Sequence, residues 1–219
     1  MSWQWAIPIV LAAVFAAVTP AILRALPAPT DEPLSDPYSA LATRRFAVVT
    51  FLLVAALGLA VVALAPTHAA AWVGLGTVGV LAAMVDARTQ YLPKRLMQAG
   101  WVLTTAGLLS VSVPSADWPA LVRAAVGAAA VTGLFWVFWR LGGGFGYGDV
   151  RLAPIIGATT AGLSWTMLAG ALLLGGLTGV AWGLAWRATG RGRAFPYGPA
   201  LVAGPYLALA LNAALAAPP

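Results

Sequence analysis

The chain of 219 residues is 61% hydrophobic and only 8% charged, carries a formal net charge of +6 and has no cysteine. About a quarter of the residues of a soluble domain are charged, so this composition excludes an ordinary soluble protein and indicates a polytopic membrane protein. Without cysteine there is no disulfide framework, thiolate nucleophile or cysteine-ligated metal, and basic residues spread between apolar runs argue against nucleic-acid binding.

Apolar runs are long enough to predict transmembrane helices along the whole chain, since a helix needs about 20 apolar residues to cross roughly 30 Å of hydrocarbon. The first run has no basic residue before it, and Arg24 follows it, which is the reverse of a signal peptide, so we expect a retained first helix. The run at 150–163 is short and could instead join the next as one bent segment over 150–187, which would leave seven helices. The sequence thus predicts an all-α membrane protein, one domain over 1–219, with about eight transmembrane helices at 3–23, 46–65, 69–86, 97–113, 119–141, 150–163, 164–187 and 197–216.

The loops between these runs predict the orientation of the bundle. Residues 25–45 form the longest polar segment, and its four prolines discourage a regular helix, so we expect a short cytoplasmic loop. With the N-terminus outside, only Arg123 lies near the outer face, and lysine and arginine are concentrated in short cytoplasmic loops of membrane proteins. Eleven of the twelve basic residues then face the cytoplasm: Arg24, Arg44, Arg45, Arg88, Lys94, Arg95, Arg140, Arg151, Arg187, Arg191 and Arg193.

Two of the six acidic residues lie where an apolar chain holds a charge least easily. Asp86 closes the third apolar run and Asp149 precedes the sixth, so both fall on the cytoplasmic side at a shared membrane depth. A carboxylate at the edge of a membrane segment costs several kcal/mol unless it is hydrated or paired, which makes it a functional candidate. The other four acids lie in polar loops: Asp31, Glu32, Asp36 and Asp117.

Two adjacent carboxylates permit hydrolysis by general acid–base catalysis. They share one proton, so one group acts as the base that takes a proton from water and the other as the acid that polarises a carbonyl. Gly146 and Gly148 both precede Asp149, can adopt unusual backbone angles and would let an extended substrate backbone approach. A glycine-rich loop alone would indicate only a flexible connection, but an aspartate directly after it, level with a second one, favours a catalytic pair.

His68 is the sole histidine, and we expect no metal ion and no cofactor.

Residues 86–93 read Asp-Ala-Arg-Thr-Gln-Tyr-Leu-Pro, and residues 146–153 read Gly-Tyr-Gly-Asp-Val-Arg-Leu-Ala. These segments resemble the two signature regions of the type IV prepilin peptidases, membrane aspartic peptidases of the GxGD class. Residues 196–199 (Pro-Tyr-Gly-Pro) are similar to a third segment at the start of the last helix, and the resemblance extends over 46–216.

The resemblance implies that Asp86 and Asp149 are the catalytic pair. It implies cleavage of the short basic leader of a prepilin or pseudopilin, at the cytoplasmic face of the bacterial inner membrane, by a multi-pass enzyme that admits the hydrophobic helix of its substrate laterally. The acidic residues of the 25–45 loop could attract the basic leader, although a merely solvated loop is the simpler interpretation.

The chain departs from the longer family members between its first two helices. Those members carry a cytoplasmic domain there, often with paired cysteines that bind zinc, and they also N-methylate the newly exposed residue. Residues 25–45 are too short for that domain and the chain has no cysteine, so we expect a short form with peptidase activity alone. Arg151 stands where many relatives have a lysine. The arginine keeps the positive charge and changes the geometry of the cationic group.

Three other interpretations remain open. A presenilin-like peptidase would share the GxGD segment and the Pro-Ala-Leu at 199–201, but Val85 stands where that group has an aromatic residue. A proton-coupled transporter would use the acids for coupling, which favours carboxylates near the membrane midplane on broken helices. An inactive relative that binds pilins as a scaffold would keep the fold without the reaction.

Overall fold

The computed structural model describes residues 3–28, 37–142, 146–190 and 195–216, and over these residues the chain contains helices and no strand. This confirms the predicted all-α fold. Short 3₁₀ helices lie at Trp3–Trp5, Tyr38–Leu41 and Pro66–Trp72, and a π-helical turn lies at Leu75–Gly79. The α-helices are α1 (Ala6–Ala25), α2 (Arg44–Leu64), α3 (Val80–Thr89), α4 (Lys94–Ser112), α5 (Trp118–Arg140), α6 (Tyr147–Leu163), α7 (Trp165–Ala188) and α8 (Gly198–Ala216).

Several of these helices have the length and apolarity to cross a bilayer. In the described part of the chain these are α1 with its preceding turn, α2, α5, α7 and α8, and a sixth span results if Pro66–Trp72 and Leu75–Thr89 form one broken segment. The helices α4 and α6 do not meet this criterion. The multi-pass membrane fold is therefore confirmed, whereas eight spans and a single domain over 1–219 stay predictions.

The third predicted run is not one straight helix. Its two parts, Pro66–Trp72 and Leu75–Thr89, meet at an angle of 60°. Gly74 lies at the bend, and a Cβ there would meet the backbone nitrogen of Thr104 at 2.7 Å, so the chain approaches α4 closely at this point. Glycine also weakens a regular helix, which explains why the bend forms here.

The sixth and seventh predicted runs are two separate helices. The chain breaks at Ser164, whose extended backbone (φ −166°, ψ 161°) ends α6. Its hydroxyl then accepts a hydrogen bond from the Met167 N–H at 3.0 Å and caps α7. The described residues thus contain two helices that are separated at Ser164, in place of a single helix over 150–187.

Glycines allow the helices to pack closely. Gly127 on α5 and Gly157 on α6 face one another, and a Cβ on either would overlap the backbone of the other helix. Gly204 on α8 lies in the same way against Ala171 and Gly175 on α7. Small residues at such contacts allow helix backbones in membranes to approach, and they hold the α5–α6 and α7–α8 pairs together.

The longest polar segment is partly outside the described residues. Its described end carries the short helix Tyr38–Leu41, in which Tyr38 and Leu41 are buried against the bundle. The acidic residues predicted to attract a basic leader, Asp31, Glu32 and Asp36, lie outside the described residues.

Candidate active site

Asp86 lies near the end of α3, where the backbone turns sharply. It is only 5% exposed. Gln90 takes a left-handed conformation (φ 55°), and its N–H donates to the Asp86 carbonyl oxygen at 2.7 Å, which ends the helix. Thr89 Oγ1 donates to the Val85 carbonyl oxygen at 2.9 Å in the same turn. The Asp-x-x-Thr spacing thus closes the last turn of α3 around the aspartate.

The carboxylate of Asp86 is held by the beginning of α8. Its Oδ2 accepts a hydrogen bond from the Gly198 N–H at 2.8 Å, although the two residues are 112 positions apart. The first N–H groups of a helix have no partner within the helix and carry a partial positive charge, so this end of α8 suits an anion. A Cβ at residue 198 would lie 2.9 Å from the same oxygen, so the site leaves room for glycine only.

Asp149 is fixed by the first turn of its own helix. It is 6% exposed and lies three residues after Gly146, the residue that precedes α6. Its Oδ2 accepts a hydrogen bond from the Gly146 N–H at 3.0 Å, and its own N–H donates to the Gly146 carbonyl oxygen at 3.0 Å. These reciprocal bonds resemble the capping arrangement that orients an acidic side chain at a helix start.

The structure brings the two acids together. They are close enough that the charge of Asp86 acts on Asp149. Tyr197, which directly precedes α8, belongs to the same cluster: burial raises the pKa of its phenol, and the charge of Asp149 raises it further. The end of α3, the start of α6 and the start of α8 therefore meet at one site.

The two signature segments also pack directly against each other. A Cβ at Gly148 would lie 2.8 Å from Cβ of Leu92, so this glycine allows the segment before α4 to contact the first turn of α6. Leu92 and the adjacent Pro93 are buried. Leu92 of the first segment thus helps to position the start of the second.

The predicted glycines do not use unusual backbone angles. Gly146 has an ordinary extended conformation (φ −77°, ψ 154°), and Gly148 lies within the helical first turn of α6. The positive φ in this region is at Gly142 (φ 73°). A role for Gly146 and Gly148 in admitting a substrate backbone stays a prediction, and residues 143–145 lie outside the described part of the chain.

Sequence reasoning missed the contribution of Gly198 and Tyr197. The Pro-Tyr-Gly-Pro segment was visible as a family resemblance, but no role followed from it. A signal was present, because proline is favoured in the first turn of a helix, so Pro199 marks a helix start next to Gly198. Such a start offers free N–H groups to a nearby acid.

Arg151 lies on a different side of α6 from Asp149, since residues two apart on a helix do not face each other. Its guanidinium lies over the Tyr147 ring, 4.7 Å from the centroid. Trp101 Nε1 donates to the Arg151 carbonyl oxygen at 2.7 Å and ties α4 to α6. These contacts make Arg151 part of the helix packing at this end of the bundle.

Known proteins resemble the segment that carries this site. Residues 73–184, just over half of the chain and including both Asp86 and Asp149, match the type IV leader peptidase family. A prepilin leader peptidase/N-methyltransferase of Xanthomonas campestris pv. campestris is 34% identical over 151 residues, 64% of this chain and 48% of that protein. The chain thus spans about half the length of this curated relative. No solved structure matches the chain. The resemblance seen in the sequence is confirmed: the chain belongs to the type IV leader peptidase family.

Proposed function

We propose that the chain is an aspartic endopeptidase that removes the leader from prepilin or pseudopilin substrates at the cytoplasmic face of the bacterial inner membrane. Family membership and the name of the relative support the substrate class. The observation that carries the proposal is the burial of Asp86 and Asp149, near enough for their charges to interact, with each carboxylate held by a backbone N–H from a helix start.

The chemistry follows from two buried acids with a single proton between them. The ionised carboxylate takes a proton from a water molecule, whose oxygen attacks the carbonyl carbon of the scissile peptide bond. The protonated carboxyl donates its proton to the carbonyl oxygen, and a tetrahedral diol forms. The carboxyl that took the water proton gives it to the leaving nitrogen, one hydroxyl proton of the diol passes to the other carboxylate, and the carbon–nitrogen bond breaks, so the pair again holds one proton. The two acids titrate as a pair, so neither is assigned a fixed role.

The start of α8 would assist this reaction at Asp86. The Gly198 N–H stabilises the ionised form of that carboxylate, and the partial positive charge of the helix start adds to the effect. Because the donor is a backbone group, it is already oriented before a substrate binds and holds the Asp86 carboxylate in place for the reaction.

We propose leader removal without N-methylation. The only polar segment between α1 and α2 is short, and the chain has no cysteine for a zinc-bearing domain. The relative carries the name of both activities, but it matches this chain over only 48% of its length.

The test is co-expression of the chain with a prepilin from the same genome, followed by the intact mass of the pilin. We expect the mass of the leaderless pilin without an added methyl group. Asp86→Asn and Asp149→Asn variants at matched membrane levels should leave the pilin at full length. Processing that persists in either variant would overturn the aspartic mechanism, and a methylated product would overturn the restriction to peptidase activity.

A proton-coupled transporter is the second candidate, because Asp86 lies on a broken helix, a feature of many transporter sites. Both acids lie at helix ends and not at mid-helix, which favours the peptidase. Vesicles containing the purified chain separate the two functions: a transporter would move protons down an imposed gradient and lose this flux in Asp86→Asn, whereas a peptidase leaves the gradient unchanged.

A further inference from the structure

A groove of about 650 Å³ lies where α4, α5 and α6 meet, close to the end of α5 and the start of α6. Three aromatic side chains that line it are well exposed: Trp101 of α4 (39%), Trp136 of α5 (49%) and Tyr147 of α6 (45%). The groove therefore opens to the outside of the bundle, and a ligand can reach its walls. We name it the α4–α6 groove.

The α4–α6 groove is separate from the acid pair. Arg151 lines the groove, and residues two apart on a helix do not face each other, so the Asp149 carboxylate lies on another side of α6. Neither Asp149 nor Asp86 contributes to the walls. A ligand in the groove thus occupies a different site from a substrate at the acids, and its binding does not depend on the proposed peptidase activity.

Arg151 gives the groove a positive charge that no carboxylate neutralises. The side chain is half-buried, its guanidinium lies 4.7 Å from the centroid of the Tyr147 ring, and no ion pair joins it to any residue of the described ranges. The described acids lie elsewhere, since Asp86 and Asp149 are buried in their own site and Asp117 caps the opposite end of α5. The charge of the groove therefore suits an anion from outside the chain.

The side chains around this cation favour a phosphate group. The planar guanidinium of arginine matches the geometry of phosphate oxygens and binds them through two parallel hydrogen bonds. Tryptophan and tyrosine are enriched at the membrane–water interface, which is where the phosphates of lipids lie. Arg140, exposed at the end of α5, adds a second positive charge one turn beyond Trp136. Two cations at this end of the groove favour a headgroup with a net negative charge over a zwitterionic one.

The rest of the groove fits a hydrocarbon chain. Its α5 wall runs from Ala128 to Trp136, eight residues apart, which corresponds to roughly 12 Å at 1.5 Å per residue. Half of the hydrocarbon core of a bilayer is about 15 Å thick, so the groove extends over most of one leaflet. Gly133 lies in this wall, and a Cβ there would meet nothing within 4 Å, so the glycine leaves space along α5. A lipid uses this length, whereas a free phosphate ion does not.

We propose that the α4–α6 groove binds an anionic phospholipid, whose phosphate oxygens accept hydrogen bonds from the Arg151 guanidinium while one acyl chain lies along Gly133. The bound lipid would contact α4, α5 and α6 together, at the end of the bundle where α6 starts.

The test is native mass spectrometry of the purified full chain in detergent, titrated with phosphatidylglycerol or with phosphatidylethanolamine of the same acyl chains. We expect phosphatidylglycerol to bind about tenfold more tightly than phosphatidylethanolamine. Arg151→Gln removes the charge and keeps a polar side chain of similar reach. Since a hydrogen bond to a charged group is a strong contact, this variant should bind phosphatidylglycerol about tenfold more weakly. Arg187→Gln, which makes the same change of charge at an exposed position at the end of α7, should bind it like the unmodified chain.

A second variant tests the acyl part of the site without changing the charge. Gly133→Leu places a side chain in the space along α5 and should weaken phosphatidylglycerol binding several-fold. Gly176→Leu is its control, because Gly176 of α7 also has nothing within 4 Å of an added Cβ and does not line the groove. The unfolding temperature without lipid shows whether each variant folds. If one of the two groove variants does not fold, the other decides.

Several results would overturn the proposal. One is equally tight binding of the two lipids, and another is undiminished phosphatidylglycerol binding by a folded Arg151→Gln or Gly133→Leu chain. Equal competition by glycerophosphoglycerol, the same headgroup without acyl chains, would show an anion site that does not use the groove. A species of twice the mass of the chain that excludes the lipid would assign the groove to a second copy.

Discussion

Each acid of the candidate site is oriented by a backbone N–H, and only one of these contacts is local in sequence. Asp149 bonds to Gly146, three residues before it, and this pairing can be predicted because acids are favoured in the first turn of a helix. Asp86 bonds to Gly198, a contact across 112 residues that depends on how α8 meets α3. Sequence reasoning could identify the carboxylates but had no basis for this second donor.

Replacing Gly198 by alanine tests that contact. The added Cβ would lie 2.9 Å from Oδ2 of Asp86 and must displace the carboxylate, although the N–H is retained. Since a misplacement of about 1 Å at a reacting group can cost 10²-fold in rate, we expect roughly hundredfold slower leader removal by the purified enzyme. Gly176→Ala is the control, because a Cβ there meets nothing within 4 Å. A Gly198→Ala enzyme at the unmodified rate would exclude the positioning role.

At the scale of the helices, the apolar runs located the α-helices α1 to α8 of the described residues but not their shapes. The run predicted over 69–86 is bent because glycines allow it to contact α4 closely, and run length carries no information about such a contact. The break at Ser164 is easier to predict from the sequence, since serine is a favoured cap at the start of a helix.

The α5–α6 contact gives a prediction for stability. A Cβ at Gly157 would overlap the backbone of Gly127 and lie 2.9 Å from Cα of Ala128. Forcing an extra carbon into a filled contact typically costs 1–3 kcal/mol, so Gly157→Ala should destabilise the protein by about that amount. The free energy of unfolding in mixed micelles measures this. Gly133→Ala, on α5 with nothing within 4 Å, should leave it unchanged or slightly higher. Equal stability of the two variants would contradict the close packing.

For the whole molecule, the distribution of arginine and lysine predicts which end of the bundle faces the cytoplasm. Asp86 lies near the exposed Arg88, and Asp149 starts the helix that contains Arg151, so this prediction also orients the candidate site. Whether α4 crosses the membrane is the point to test. Its 19 residues span about 28 Å, which is close to the thickness of the hydrocarbon layer.

Single introduced cysteines test this topology without background labelling, since the chain has no cysteine of its own. Lys94 begins α4 and Ser115 follows its end, and both residues are exposed. In intact cells, a membrane-impermeant maleimide should label Ser115→Cys and leave Lys94→Cys unlabelled until the membrane is opened. Labelling of both positions from outside would show that α4 does not cross, and the reversed pattern would place the acid pair on the opposite face.

The measurement that tests the central claim most directly is the rate of leader removal by the purified chain and by its Asp86→Asn, Asp149→Asn and doubly substituted forms. If the two acids act as one unit, each single substitution should lower the rate by about 10²–10⁴-fold, the range for general acid–base catalysis, and the double substitution should lower it no further. A single variant that retains the unmodified rate, or losses that multiply in the double variant, would contradict a shared catalytic pair.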